Sequence, residues 1–171
     1  MSKLIEKVVL LQLNDHLLCN GLYDEFQSAY RANRSTETAL LRILHDLLLA
    51  VDSNQVSLLT LLDLSAAFDT IDHSILLTRL HETFGISNSA LSWFASYLSG
   101  RTQTVSVNGI LSSPTSLDCG VPQGSVLGPV LFSLYTAPLA DIIKITTSTT
   151  IATQMTPNST TVTRPNKSAH S

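Results

Sequence analysis

VSLLTLLDLSAAFDTIDH, Val56 to His73, is the stretch on which the reading of this chain turns. Its first eight residues, Val56 to Asp63, form a nearly continuous apolar run of strand length, the pattern of a strand covered on both faces. The run ends on the carboxylate of Asp63. The small residues Ser65, Ala66 and Ala67 that follow leave room beside an oxygen donor of the kind Mg²⁺ prefers. On spacing alone two readings stay open. Asp63, Asp69 and Asp72 form a hard-metal site, or Asp63 merely ends a strand while Asp69 and Asp72 cap the next helix; the second is simpler, because Asp is a common N-cap. His73 suits a surface or capping position better than a metal ligand.

Outward from this strand the chain alternates helices with turns. Upstream, apolar residues at Leu4, Ile5, Val8, Val9, Leu11 and Leu17 recur near helical spacing until Asn20-Gly21 stops them. Ser35 or Thr36 caps a second helix to about Val51, with Leu40, Leu41, Leu44, Leu47 and Leu48 on one face. Arg31 and Arg34 stand in the loop between, where solvation and phosphate contact explain them equally well. Downstream, Asp72 or Ser74 opens a helix to Phe84, and Ser87 caps another that closes at Ser99-Gly100. Thr102 to Val107 alternates in character, Asn108-Gly109 is a preferred hairpin turn, and a second strand runs to about Leu117. Gly120-Val121-Pro122-Gln123-Gly124 reads as a loop. Ser125 to Ile143 reads as a helix that tolerates Pro129 early and is kinked or ended by Pro138. The fold class is therefore α+β, a small and mostly antiparallel sheet packed by helices.

Composition narrows the possibilities further. At 171 residues and 18.5 kDa the chain suits one domain with a real core, and 44% hydrophobic residues with a mean hydropathy of +0.23 imply extensive burial. No apolar run approaches a membrane span, and Glu6 and Lys7 interrupt any signal-peptide pattern, so the expected location is intracellular, with nucleus and cytoplasm not distinguished. Cys19 and Cys119 lack the spacing of a zinc site or a disulfide framework. A net charge of -3 argues mildly against a phosphate-binding surface. The segment 145–171 differs abruptly: thirteen residues are Ser or Thr, none is acidic, and it is expected to lack regular structure.

Taken together, five segments resemble the reverse transcriptases of LINE-type (non-LTR) retrotransposons. They are Ser2 to Val9, Phe26-Gln27-Ser28-Ala29-Tyr30-Arg31, Ser35 to Leu40, Asp63 to His73, and Gly120 to Pro129, in family order. The resemblance implies the fingers and palm of a right-hand polymerase over residues 1–144, with RNA template, DNA primer and deoxynucleoside triphosphates as partners. It makes Asp63 the catalytic first-motif aspartate that holds Mg²⁺, and Phe68 the aromatic gate that excludes a ribose 2′-hydroxyl. Gln123 and Gly124 become nucleotide-pocket residues of the second palm motif, and Arg31 and Arg34 nucleic-acid contacts.

The family's third palm motif, Tyr-Ala-Asp-Asp, is missing, because no acidic residue follows Asp141. Two cations held close together need carboxylates from both palm strands, so this chain alone is expected to be inactive. Back-translation suggests the cause. Read from the third base of the Ala152 codon, permitted codons for Ala152 to Thr160 spell Tyr-Ala-Asp-Asp-Thr-Gln-Leu-Tyr, as a departure from the ancestral frame near Lys144 to Thr147 would produce. The alternative function is a non-catalytic nucleic-acid or protein binding remnant. A third reading, independent of the resemblance, is a Mg²⁺-dependent hydrolase built on Asp63, Asp69 and Asp72.

Overall fold

The protein is described from a computed structural model, which covers residues 2–25, 27–31, 33–63, 66–122, 124–146, 149–154 and 158–164; the side chains of residues 2, 60–63, 141 and 143 onward lie outside the description. The chain divides into two compact units, Met1–Leu17 with Ala67–Tyr135, and Leu18–Ala66 with Thr136–Ser171. Each unit is formed by segments distant in sequence.

The first unit contains most of helix α1 (Ser2–Cys19), helices α3 (His73–Glu82) and α4 (Asn88–Leu98), and the opening turns of α5 (Gly128–Thr146). Its core is aliphatic and aromatic. Leu17 of α1, Leu76 and Leu80 of α3, Leu98 of α4, and Leu131 of α5 with Leu127 just before it are fully or almost fully buried. Each such leucine contributes about 2 kcal/mol by leaving water. The buried stripe of α1 is Glu6, Leu13 and Leu17, whereas Leu4, Ile5, Val8 and Leu11 are exposed. The apolar periodicity located the helix, but of the residues that marked it only Leu17 lies in the core, because the packed face is set by partners distant in the chain.

Between α4 and the loop at residue 120 the backbone makes two short ladders, β2 (Thr102–Gln103) with β5 (Thr115–Ser116), and β3 (Ser106–Val107) with β4 (Ile110–Leu111). The expected turn is present, with Asn108 and Gly109 both at positive φ, +50° and +81°, as a type I′ hairpin demands. The two continuous strands expected there are each broken. Thr102 pairs with Ser116 but Ser106 with Leu111, so the second strand carries one extra residue, and Ser112 fills the offset by exchanging hydrogen bonds with Val105.

The second unit holds α2 (Thr36–Asp52) and a three-stranded antiparallel sheet in the order β1 (Leu58–Asp63), β7 (Asn158–Arg164), β6 (Thr149–Gln154). Ser35 caps α2 in a reciprocal capping box with Thr38, as its position before the helix implies. In α2 the packed face differs from expectation. Ala39, Ile43 and Ala50 are buried, while Leu40, Leu41, Leu44 and Leu48 face outward. The expectation that β1 is covered on both faces also fails at its start, where Leu58 is 64% and Leu59 43% exposed. Residues 149–154 and 158–164 form strands where the Ser/Thr-rich composition suggested no regular structure. Their Thr, Ile and Val residues are β-branched and suit an extended ladder once β1 offers a free edge.

Pro138 does not end α5, which continues to Thr146. Cys19 and Cys119 are exposed and form no disulfide. Among the described residues, no helix is long and apolar enough to cross a membrane.

Candidate functional site

In the second unit, Asp63 is the last residue of β1. It stands opposite Asn158 of β7, and Ser159 in turn stands opposite Gln154 of β6, so Asp63 lies at the end of the sheet where β6 leads into β7. Residues 155–157 and the Asp63 side chain lie outside the described structure.

In the first unit, the turn after Ala66 carries Phe68, whose ring meets that of Phe132 on α5 edge to face, centroids 5.7 Å apart at 67°. This turn is bound by backbone to the glycine-containing loop that the sequence singled out. The Val121 amide donates to the Phe68 carbonyl at 2.9 Å, the Gly120 amide to Ile71 at 2.8 Å, and the His73 amide to Asp118 at 3.2 Å, around a bridge between Asp72 and Cys119. Gly120 must be glycine on two counts. Its φ is +82°, and a Cβ there would lie 3.2 Å from both Cα and O of Asp69. Gly124 is exposed at φ +71°, and Gln123 lies outside the described residues.

The residues of the 63–73 cluster separate in role. Asp72 is the N-cap of α3, accepting from the Ile75 amide at 3.0 Å and from the Ser74 hydroxyl at 2.7 Å, and these bonds hold its carboxyl below the usual range. His73 was expected at the surface or as a cap. It instead opens α3 half-buried and donates from Nε2 to the Gly120 carbonyl at 2.7 Å, a bond that Arg101 shares from Nη1 at 2.5 Å.

The far end of the same loop is held by a residue from α1. The buried Glu6 carboxylate accepts from the Ser125 hydroxyl at 2.9 Å and from the amides of Val126 at 2.7 Å and Leu127 at 3.4 Å, just ahead of α5. These amides have no partner inside the helix, so a carboxylate placed there both satisfies them and faces the positive end of the helix dipole. Ser125 also shares a 2.7 Å bond with the Tyr97 hydroxyl. Sequence reasoning missed Glu6, Tyr97 and Arg101. The only local signal was one acid within the buried stripe of an apolar helix, and nothing in it names a partner about 120 residues away.

Burial raises the Tyr97 pKa, opposed by the Ser125 hydroxyl and assisted by the Glu6 carboxylate. A tyrosine whose folded pKa is raised contributes stability that is complete below the unfolded value of about 10 and is lost as pH rises through the folded value. Stability measured by urea titration is therefore expected to fall above about pH 10, and the fall to be shallower in Tyr97→Phe. A Tyr97→Phe chain with the same alkaline slope as the original would refute this.

Arg31 and Arg34 belong to the second unit. Arg31 donates to the Asp24 carbonyl at 2.9 Å and to the Gln27 carbonyl at 3.4 Å, and lies 4.7 Å from the centre of the Tyr23 ring. Burial, then the neighbouring charge of Arg34, lowers its pKa. Its guanidinium thus folds its own loop, leaving part of its five-donor fork for anything beyond.

The donor chemistry can be tested against a Mg²⁺ pair. Asp63 offers one hard carboxylate, which suits Mg²⁺. Among the described residues no three His, Cys, Asp or Glu side chains gather, and no acid follows Asp141 in the sequence. The residues present do not fit a complete two-cation site, for which carboxylates must flank both ions.

Residues 1–155 match the family described as reverse transcriptase (RNA-dependent DNA polymerase). The chain is 33% identical over 135 residues to a probable RNA-directed DNA polymerase from transposon X-element of Drosophila melanogaster. It is 32% identical over 139 residues to a probable RNA-directed DNA polymerase from transposon BS, and 32% over 142 residues to an RNA-directed DNA polymerase from mobile element jockey, both of the same fly. These alignments cover 79% to 81% of this chain and 15% of each relative.

Proposed function

The chain belongs to the reverse transcriptase family, in its LINE-type (non-LTR) branch, and from that premise we propose that it is a fingers-and-palm portion of an RNA-directed DNA polymerase that lacks one side of its catalytic metal site. The observation that carries the reading is the register of the sheet. Asp63 pairs with Asn158 at the end where β6 leads into β7, and this is where a second pair of carboxylates must stand if two cations are to be shared between strands. In the shifted reading of the Ala152 to Thr160 codons, the two aspartates come from the codons of Gln154, Met155 and Thr156, which begin at the last residue of β6. The Ser/Thr-rich segment is then out-of-frame translation.

In the intact enzyme Asp63 would contribute oxygen ligands to Mg²⁺, which aligns the primer 3′-oxygen and neutralises the triphosphate. Phe68 would lie flat beneath the sugar and penalise an extra hydroxyl by overlap, with Gln123 and Gly124 shaping the nucleotide pocket and Arg31 and Arg34 near nucleic acid. RNA template, DNA primer and deoxynucleoside triphosphates are the corresponding partners. The absence of any acid after Asp141 favours a second reading for the chain as it stands, that of a non-catalytic binding remnant.

The nucleotide sequence across codons 140–165, translated in all frames, is the first test: a shifted frame that does not spell Tyr-Ala-Asp-Asp overturns the frame argument. Purified as it is, the chain should extend no primer on an RNA template. A frame-restored chain should do so with Mg²⁺ and lose about a thousandfold or more in Asp63→Asn, since a cation contributes several kcal/mol to the transition state. Salt-dependent RNA binding by the unrestored chain that survives Asp63→Ala would support the remnant reading.

A further inference from the structure

We infer that His73 and Arg101 are positioning residues, which hold one backbone carbonyl, that of Gly120, and thereby set the Gly120–Gly124 loop against the Phe68 turn. Their two side chains arrive from different elements. His73 is the first residue of α3, whereas Arg101 follows the Ser99-Gly100 turn after α4, and both line a hollow of about 490 Å³. A carbonyl oxygen has two lone pairs, so it accepts both bonds, at 2.7 Å from His73 Nε2 and 2.5 Å from Arg101 Nη1.

The peptide they grip is the one whose N–H belongs to Val121, and that N–H donates to the Phe68 carbonyl at 2.9 Å. The orientation of this single peptide is thus determined at both ends. Two donors, one of them a permanent cation, hold its oxygen, and its hydrogen holds the residue read as the sugar gate. Withdrawing electrons through the carbonyl also strengthens the N–H as a donor, so loss of the clamp weakens the link to Phe68 as well as freeing the loop. With glycine at 120, backbone rotation meets little resistance from a side chain, and external bonds must supply the constraint that a Cβ would otherwise give. Glu6 secures the opposite end of the segment through Ser125, Val126 and Leu127, leaving the span around Gly124 as the part presented outward. That this span serves a nucleotide rests on the function proposed above; the clamp does not.

The test is residue-resolved amide hydrogen exchange on the 171-residue chain. In His73→Leu and in Arg101→Leu, exchange at Gly120 and Val121 should accelerate about tenfold or more, the ratio that one hydrogen bond of ordinary net strength represents, while the amides of Leu80 and Leu98 keep their rates. His73→Gln, whose side-chain amide still donates, should recover most of the protection. Unchanged exchange at Val121 in both leucine variants, or acceleration shared equally by Leu80 and Leu98, would overturn the clamp. If the leucine variants fail to fold, His73→Gln and Arg101→Lys carry the comparison, and a Gln variant no slower at Val121 than His73→Ala is equally fatal. A second arm titrates the chain with Mg²⁺ and dATP, following the Gly120 and Gly124 amide resonances. A response in the original chain that weakens in Arg101→Leu supports both claims. No response in the original chain, with the exchange result intact, defeats the nucleotide reading and leaves the clamp standing.

Discussion

Gly120→Val is expected to destabilise the chain by about 4 kcal/mol, composed of two separate costs. Forcing an L-residue into the left-handed region costs roughly 1–2 kcal/mol, and more for a β-branched side chain. The new Cβ would also sit 3.2 Å from Asp69 Cα and O, and these are backbone atoms of the Phe68 turn that cannot swing aside as a side-chain tip would. Overpacking of this kind typically adds about 1–3 kcal/mol. Against a total stability of about 5–15 kcal/mol for a domain, the variant should be close to unfolding. Urea titration with an unchanged slope and a lowered midpoint is the readout. Gly120→Ala should lose about half as much, and Gly124→Ala, whose added Cβ among the described residues reaches only Lys3 Nζ at 4.0 Å, should pay for its positive φ alone. Equal losses at Gly120 and Gly124 would show that strain, and not the close approach to the Phe68 turn, governs the loop.

Glu6→Ala should lose about 3–4 kcal/mol, which is unusual for a charged residue on a helix with mostly exposed neighbours. Three donors lose their acceptor together: the Ser125 hydroxyl and the amides of Val126 and Leu127. Hydrogen bonds to a charged acceptor contribute about 1.5–3 kcal/mol each, and a buried donor left unpaired costs its desolvation in full. The sum is reduced because Leu127 lies at the long distance of 3.4 Å and retains the Ser125 hydroxyl as an acceptor at 3.1 Å. Glu6→Gln keeps an oxygen acceptor and gives up the charge facing the helix terminus, so a loss of about 1–2 kcal/mol is expected. The comparison with Glu37→Ala, on the exposed first turn of α2, separates the effect from charge removal in general. If Glu6→Ala unfolds at the same denaturant concentration as Glu37→Ala, the carboxylate is not what holds the start of α5.

These two sites mark the boundary of what could be read in advance. The starts of α2 and α3 were legible because capping is local: Ser35 bonds Thr38 and Asp72 bonds Ile75, each three residues along. The Asn108-Gly109 turn was legible because its positive φ values restrict residue type. Likewise the order of the motifs, with Asp63 at a strand end and Phe68 five residues on, identified the family from the chain alone. The packed faces of α1 and α2 were not legible, since both helices carry more apolar residues than one stripe needs. Which stripe is buried, Leu13 and Leu17 on one, Ala39, Ile43 and Ala50 on the other, depends on the elements that meet it. Nor did the composition of the Ser/Thr-rich segment reveal its strands, because an extended ladder requires only a neighbouring edge, and β1 supplies it.

By itself, then, the sequence determined the fold class, the family, the caps of α2 and α3 and the Asn108-Gly109 turn, all of which depend on residue identity and near-neighbour spacing. The tertiary structure alone decided that Glu6 reaches Ser125, that His73 and Arg101 meet on the Gly120 carbonyl, and that Asp63 stands opposite Asn158. Each of those joins residues between 19 and 119 positions apart, and a hydrogen bond or a strand register over such a separation is set by how the packed elements close on one another, for which no short window of sequence carries a signal.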